Sequence, residues 1–206
     1  MIISTDYFLE SCVTSLDSSI LAEHHGAHRL EICDRLDTGG MTPDFDLVSL
    51  ILDKIKIPIR VMIRATAIGF EADQDILQKM ISSINQFKEL PIDGFVIGII
   101  KNNSVDKNAM ELVIQACNPF PITFHKAIDE SNDKWNDILW INDHPLIDTI
   151  LTSGNAEKAM DGVEEILKMK SVFQRDIVAG GKITNDQLVE LHDKLKLKWY
   201  HGRGIV

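Results

Sequence analysis

Short apolar runs alternate with amphipathic stretches along the whole chain, and this alternation leaves few folds open. Tyr7 to Val13 is a first strand-like run with Glu10 inside it, followed by Leu16, Ile20 and Leu21 at helical spacing up to Gly26. Arg29 to Cys33 is the second run. After its Thr38–Pro43 loop, Asp44 opens a helix with Leu47, Val48, Ile51 and Leu52 on one side. Ile59 to Arg64 is the third, and the helix after it has the clearest periodicity, through Ile76, Leu77, Met80, Ile81, Ile84 and Phe87. Gly94 to Ile100 is nearly all apolar, as a strand buried on both faces should be.

The second half repeats the unit. A helix with Met110, Leu112, Val113 and Ala116 leads into the fifth strand, which starts in Pro119–Ile122 and places Thr123 and His125 on one face. A helix around Trp135 to Ile141, a strand at Thr149 to Ser153 and a helix through Ala159, Met160, Val163, Ile166 and Leu167 come next. Asp176 to Ala179 is the seventh strand. Thr184 and Gln187 have the spacing of a capping box for the helix holding Leu188, Leu191 and Leu195, and Trp199 to His201 is the eighth strand. Eight strands separated by helices, at about 25 residues per unit, predict one domain over 1–206: an α/β chain folded as a (β/α)8 TIM-type barrel whose eighth helix is missing. A doubly wound sheet is the alternative, weakened because no glycine-rich phosphate fingerprint follows the first strand.

Composition limits the partners. The chain has 206 residues, 45% of them hydrophobic and 25% charged, enough for one sizeable core. A formal net charge of -10 argues against a nucleic-acid or anionic-membrane surface. Met1 to Tyr7 shows no secretory leader, and no stretch approaches the ~20 apolar residues of a membrane span. Cys12, Cys33 and Cys117 include no CxxC pair, which predicts reduced thiols and a cytoplasmic protein.

In a barrel, the carboxyl ends of the strands share one mouth, where chemistry is placed. The residues predicted there are Glu10, Cys12, Glu31, Cys33, Arg64, Gly98, His125, Ser153, Gly180 and His201, with Lys126 and Asp129 in the turn after His125. Charges inside apolar strands cost several kcal/mol unless paired, so Glu10, Glu31 and Arg64 are expected to neutralise one another or a ligand. The alternatives at each position are structural: a strand-tying Glu–Arg network, or a histidine bonded to a loop carbonyl.

Several segments in register resemble the CutC family. Gly26-Ala27-His28-Arg29-Leu30-Glu31-Ile32-Cys33 is similar to that family's Gly-Ala-Asp-Arg-Val-Glu-Leu-Cys, and Gly39-Gly40-Met41-Thr42-Pro43 to its Gly-Gly-Leu-Thr-Pro loop. Thr123–Asp129 resembles Thr-Phe-His-Arg-Ala-Phe-Asp, and Leu151-Thr152-Ser153-Gly154 resembles Leu-Thr-Ser-Gly. The chain differs at Ala65 and Thr66, where the family has proline and a second arginine after Arg64. It differs again at Lys126 for an arginine and at Gly202-Arg203 for a serine pair. The resemblance implies a (β/α)8 barrel and a role in copper homeostasis.

Two ligand chemistries follow. Cys12 and Cys33 have the parity of the glutamates two residues before them, so both could face the mouth, and two soft thiolates suit Cu(I). Two small buried apolar residues are the competing reading of the same cysteines. The other chemistry is that of an enzyme acting on a small polar or anionic metabolite. There His125 is general acid/base, Arg64 holds an anion, Glu31 orients a ligand or is a second acid/base, and Glu10, Lys126, Asp129, Ser153, Gly180 and His201 complete the site. A relative that only binds or assembles is a third reading. Without an eighth helix, Tyr7, Phe8, Leu9, Trp199 and Tyr200 are expected to face outward at the seam, predicting a homodimer that covers them. The alternative is a seam covered by residues 1–6 or by the tail 202–206.

Overall fold

The computed structural model describes residues 6–206. Eight strands build the barrel: β1 (Phe8–Val13), β2 (Arg29–Ile32), β3 (Ile59–Met62), β4 (Gly94–Ile97), β7 (Ile122–Phe124), β8 (Ile147–Thr152), β9 (Asp176–Gly180) and β10 (Trp199–Gly202). They close in the order β1-β10-β9-β8-β7-β4-β3-β2, with every neighbouring pair parallel. A two-stranded antiparallel hairpin, β5 (Ile100–Lys101) with β6 (Ser104–Val105), hangs from β4. Seven helices fill the connections: α1 (Leu16–His24), α2 (Phe45–Leu52), α3 (Gln74–Phe87), α4 (Lys107–Cys117), α5 (Lys134–Asn142), α6 (Val163–Val172) and α7 (Asn185–Leu195). The TIM-type barrel with seven helices is therefore as the sequence predicts.

Local chemistry starts the early helices. Ser15 and Ser18 form a reciprocal capping box on α1, and the carboxylates of Asp44, Asp73 and Asp106 accept from backbone N–H groups in the first turns of α2, α3 and α4. Thr184 does stand at the start of α7, but its side chain makes no capping bond, so the expected capping box does not form. The helix expected from Ala159 begins only at Val163. The backbones of Gly154 and Gly162 touch, since a Cβ on Gly154 would lie 2.3 Å from the Gly162 carbonyl oxygen, and the loop must close before the helix can start. The run expected from Gly94 to Ile100 divides at Gly98 into β4 and β5.

The alternation of side chains splits the interior into two parts. Outward-facing residues such as Ile32, Val61, Phe95, Phe124 and Ile150 are fully buried under the helices. Inside the barrel a separate small cluster holds Cys12, Cys33, Met62 and Val96, with Leu36 against it. Much of the remaining interior is polar, although Leu151 and Val178 also point inward. Register pairs Glu10 with Arg29 and His201, and Glu31 with Cys12 and Arg60, on one inward face. Arg60 crosses to the far side, where it is bidentate to Asp148 at 2.8 and 2.6 Å, bonds Thr123, and lies 3.2 Å from Asp93.

The seam departs from expectation. Phe8 and Trp199 share the inward parity of Glu10 and His201, so they stack at the lower opening, ring centroids 4.9 Å apart, with Arg29 4.3 Å over Trp199. Tyr200 faces outward but is fully buried. Leu197 N–H donates to its hydroxyl, His192 of α7 bonds that hydroxyl at 3.0 Å, and Tyr7 packs edge-on. Of the five residues expected at the seam, Tyr7 and Leu9 remain outward and half-buried. The tail turns back instead towards the loop after β9, pairing Gly204 with Thr184 and burying Ile205. The expectation for 1–6 falls largely outside the described residues.

Candidate functional site

A cavity of about 580 Å3 opens at the carboxyl ends of the strands. Cys12, Glu31, Met62, His125, Lys126, Leu151 and His201 line its floor and sides. Leu36, Gly39, Phe70 and the loops 181–184 and 202–204 form its walls, with Glu157 also lining it. Of the residues read from sequence, Cys12, Glu31, His125, Lys126 and His201 meet in this space.

Beneath the floor lies a charge relay of buried groups. Glu10 is ion-paired with Arg29 and bonded to His201 Nδ1 at 2.9 Å. Burial alone would raise the Glu10 carboxyl, but Arg29 and His201 outweigh it and hold the group well below the usual carboxylate range. Arg29 was missed as the partner, although it sits two residues before Glu31 and so shares its inward face. His201 also approaches Glu31 at 3.9 Å. Burial works against the imidazolium, yet Glu31 and Glu10 prevail and raise the pKa of His201. Glu31 is pushed up, chiefly by burial, and its Oε2 has no hydrogen-bond partner among the described residues.

The sulfur atoms sit directly above. Cys12 Sγ lies 3.3 Å from Cys33 Sγ and donates to Glu31 Oε1 at 3.4 Å. The Cys33 hydrogen bond, burial and the Glu31 charge all push the Cys12 thiol up, so it is protonated at neutral pH. Cys33 is fully buried and does not line the cavity, whereas Cys12 does. Gly40, in the left-handed region at φ 95, packs beside Met62 and Cys33: a Cβ there would lie 3.4 Å from Met62 Cε and 3.6 Å from Cys33 Sγ. Ligand atoms of Cys12, Glu31 and Cys33 all fall within 4.8 Å of one another, and the same holds for Glu10, Glu31 and His201. The first set offers two soft sulfurs and one carboxylate, the second only hard and borderline donors.

His125 has left β7 to cap the 3-10 turn Lys126–Glu130. Its Nδ1 accepts the Ala127 N–H at 3.2 Å, so the ring proton is on Nε2, which is buried without a partner among the described residues. Burial, with Arg64 nearby, pushes the ring pKa down to about 3. The resting ring is thus a neutral N–H donor; as a base it would first have to lose that proton or its amide bond.

Arg64 neither pairs with Glu10 or Glu31 nor lines the cavity. It donates to the carbonyls of Thr38 (2.8 Å), Gly40 (3.0 Å) and Gly69 (3.0 Å) and lies 4.7 Å from the Phe70 ring, fixing two wall loops. Phe70 in turn packs 4.8 Å from His125. Asp129 faces away from the cavity and ties the turn after β7 to the loop after β8, accepting from Ser153 N (2.9 Å) and Oγ (3.0 Å) and from Thr152. Ser153 is consumed by that knot. Gly180 is a spacer: a Cβ there would meet Leu151 Cδ1 at 2.7 Å and His201 Cδ2 at 3.3 Å. Arg64, Asp129, Ser153 and Gly180 do not line the cavity; each is held by protein partners or by close packing.

The CutC family profile matches residues 7–205. A Caenorhabditis elegans copper homeostasis protein cutC homolog is 33% identical over 202 residues, covering 96% of this chain and 80% of that protein. The Dictyostelium discoideum copper homeostasis protein cutC homolog is 31% identical, covering 95% and 81%. The crystal structure of the CutC protein of Streptococcus agalactiae superposes with a TM-score of 0.90 at 25% identity, over 97% of this chain and all of that one. A barrel of this shape, matched along nearly all its length in sequence and in structure, places the chain in the CutC family.

Proposed function

We propose that the mouth binds Cu(I) through the sulfurs of Cys12 and Cys33, in the copper homeostasis role for which its relatives are named. The observation that carries this reading is the sulfur pair, 3.3 Å apart at the ends of adjacent strands, with a buried carboxylate 3.4 Å from one of them. Soft thiolates prefer Cu(I) to the hard cations that a carboxylate-rich site would take. Both thiols must lose protons to ligate, and Glu31 Oε1 already accepts the Cys12 S–H, so it is placed to take that proton as the metal arrives. Met62, packed in the same cluster, gives the metal an apolar, thioether-bearing neighbour. The reading places the protein in the reducing cytoplasm, where thiols stay free. A homodimer is part of this reading; with most of the seam side chains turned inward or buried, Ile20 and Leu21, 46% and 55% exposed on α1, are the apolar area it would cover instead.

Competition for Cu(I) against a chromophoric chelator tests the proposal. The Cys12→Ser/Cys33→Ser variant loses tight binding, whereas Cys117→Ser, altered on α4, keeps it. Equal affinity in the double variant would overturn the assignment.

A further inference from the structure

We propose that the wall opposite the sulfurs holds a second site, for a small oxo-anion: a metabolite with a carboxylate or phosphate and a nearby carbonyl oxygen. The carbonyl oxygen accepts from His125 Nε2–H, and the anion sits on Lys126. β7, which delivers His125, lies four strands round the barrel from β1, which delivers Cys12. One cavity therefore has two chemically different walls.

The first support is an orphaned donor. His125 is 3% exposed, and the Ala127 N–H bond fixes its proton on Nε2, where no described residue accepts it. An unsatisfied buried donor costs about 1–3 kcal/mol, a cost removed by a ligand oxygen. The ring cannot turn away. Phe70 packs against it, and a Cβ on Gly98 would fall 2.6 Å from Nδ1, so glycine is what lets the imidazole lie over the end of β4. A neutral, clamped N–H on a residue that lines the cavity polarises a carbonyl without donating a full charge.

The second support is charge. Lys126 lines the cavity and has no carboxylate partner among the described residues. Lys182 and Arg203, also on the rim, are engaged by Glu157 and by the Leu36 carbonyl. On a chain of net charge -10 an anion gains nothing from the overall field, so a single free ammonium beside the donor has to select it locally. A volume of about 580 Å3 suits a small metabolite and not a polymer.

The test uses copper-free protein labelled with 15N-histidine, so that it is independent of the thiol site. Pyruvate and dihydroxyacetone phosphate are titrated beside acetate and inorganic phosphate, the same anions without the carbonyl. At least one oxo-anion is expected to bind about ten- to a hundredfold more tightly than its carbonyl-free counterpart and to shift the His125 Hε2 resonance. Which of the two does so decides between carboxylate and phosphate. His125→Phe removes that advantage, His125→Gln, which keeps an N–H near the same place, restores part of it, and Lys126→Met weakens all the anions alike. No preference for either oxo-anion in the unaltered protein, or an unchanged preference in His125→Phe, would overturn the proposal.

Discussion

Replacing Arg29 by methionine probes the most deeply buried charge in the barrel. Glu10 is fully inaccessible, and its ion-pair partner is Arg29. Removing one member of a buried pair leaves the other uncompensated, at a cost of about 3–5 kcal/mol. With an unfolding entropy of about 2.1 cal/mol/K per residue, 206 residues give roughly 0.43 kcal/mol/K, so Tm should fall by about 7–12 °C. The double variant Glu10→Gln/Arg29→Met removes both charges and should lie within about 1 kcal/mol of the unaltered protein. The loss also depends on pH. His201, hydrogen-bonded to Glu10, has its pKa raised in the folded state. Its stabilising charge is therefore complete below the unfolded value of about 6.5 and disappears as pH rises through the folded value. In Arg29→Met that imidazolium is the cation still bonded to Glu10, so calorimetry should show a larger loss at pH 8.5 than at pH 6. A single variant as stable as the double one would refute the buried-pair argument.

Four further outcomes follow from the site. Glu31→Gln removes the acceptor of the Cys12 proton and should weaken Cu(I) binding about 10–100-fold in chelator competition. Because burial raises the Glu31 pKa, ionising it costs folding stability as pH rises, so the same variant should melt no lower than the unaltered protein at pH 8. Cu(I) affinity itself should climb with pH between 6 and 8, by about tenfold per unit for each proton released, because the Cys12 thiol is held protonated; a flat profile would contradict thiolate ligation. Gly98→Ala drives a methyl into the His125 ring, costing about 1–3 kcal/mol by thermal melting and displacing the His125 Hε2 resonance.

Much of this is legible in the sequence. The strand count and the inward parity of Glu10, Cys12, Glu31 and Cys33 follow from a side-chain period of two, which survives errors in strand ends. Arg29 and Arg60 were equally legible by parity. They lie early in their strands, below the mouth, where a charge has its counter-ions inside the barrel and not in a ligand. Arg64 and Asp129 sit at the right height, but loop carbonyls and loop amides claim them, and such partners arise from loop paths that no periodicity encodes. The tautomer of His125 depends on one amide, Ala127 N–H, and on the missing side chain at Gly98. The path of the tail after β10 was open for the same reason: Gly202 packs against the Ile183 carbonyl, a contact set by the β9–α7 loop.

X-ray absorption at the copper edge of the Cu(I)-loaded protein tests the central claim most directly. Ligation by Cys12 and Cys33 predicts a first shell dominated by two sulfur scatterers, lost in the Cys12→Ser/Cys33→Ser variant. A first shell of nitrogen and oxygen alone would place the metal on Glu10, Glu31 and His201 instead and contradict the thiolate site.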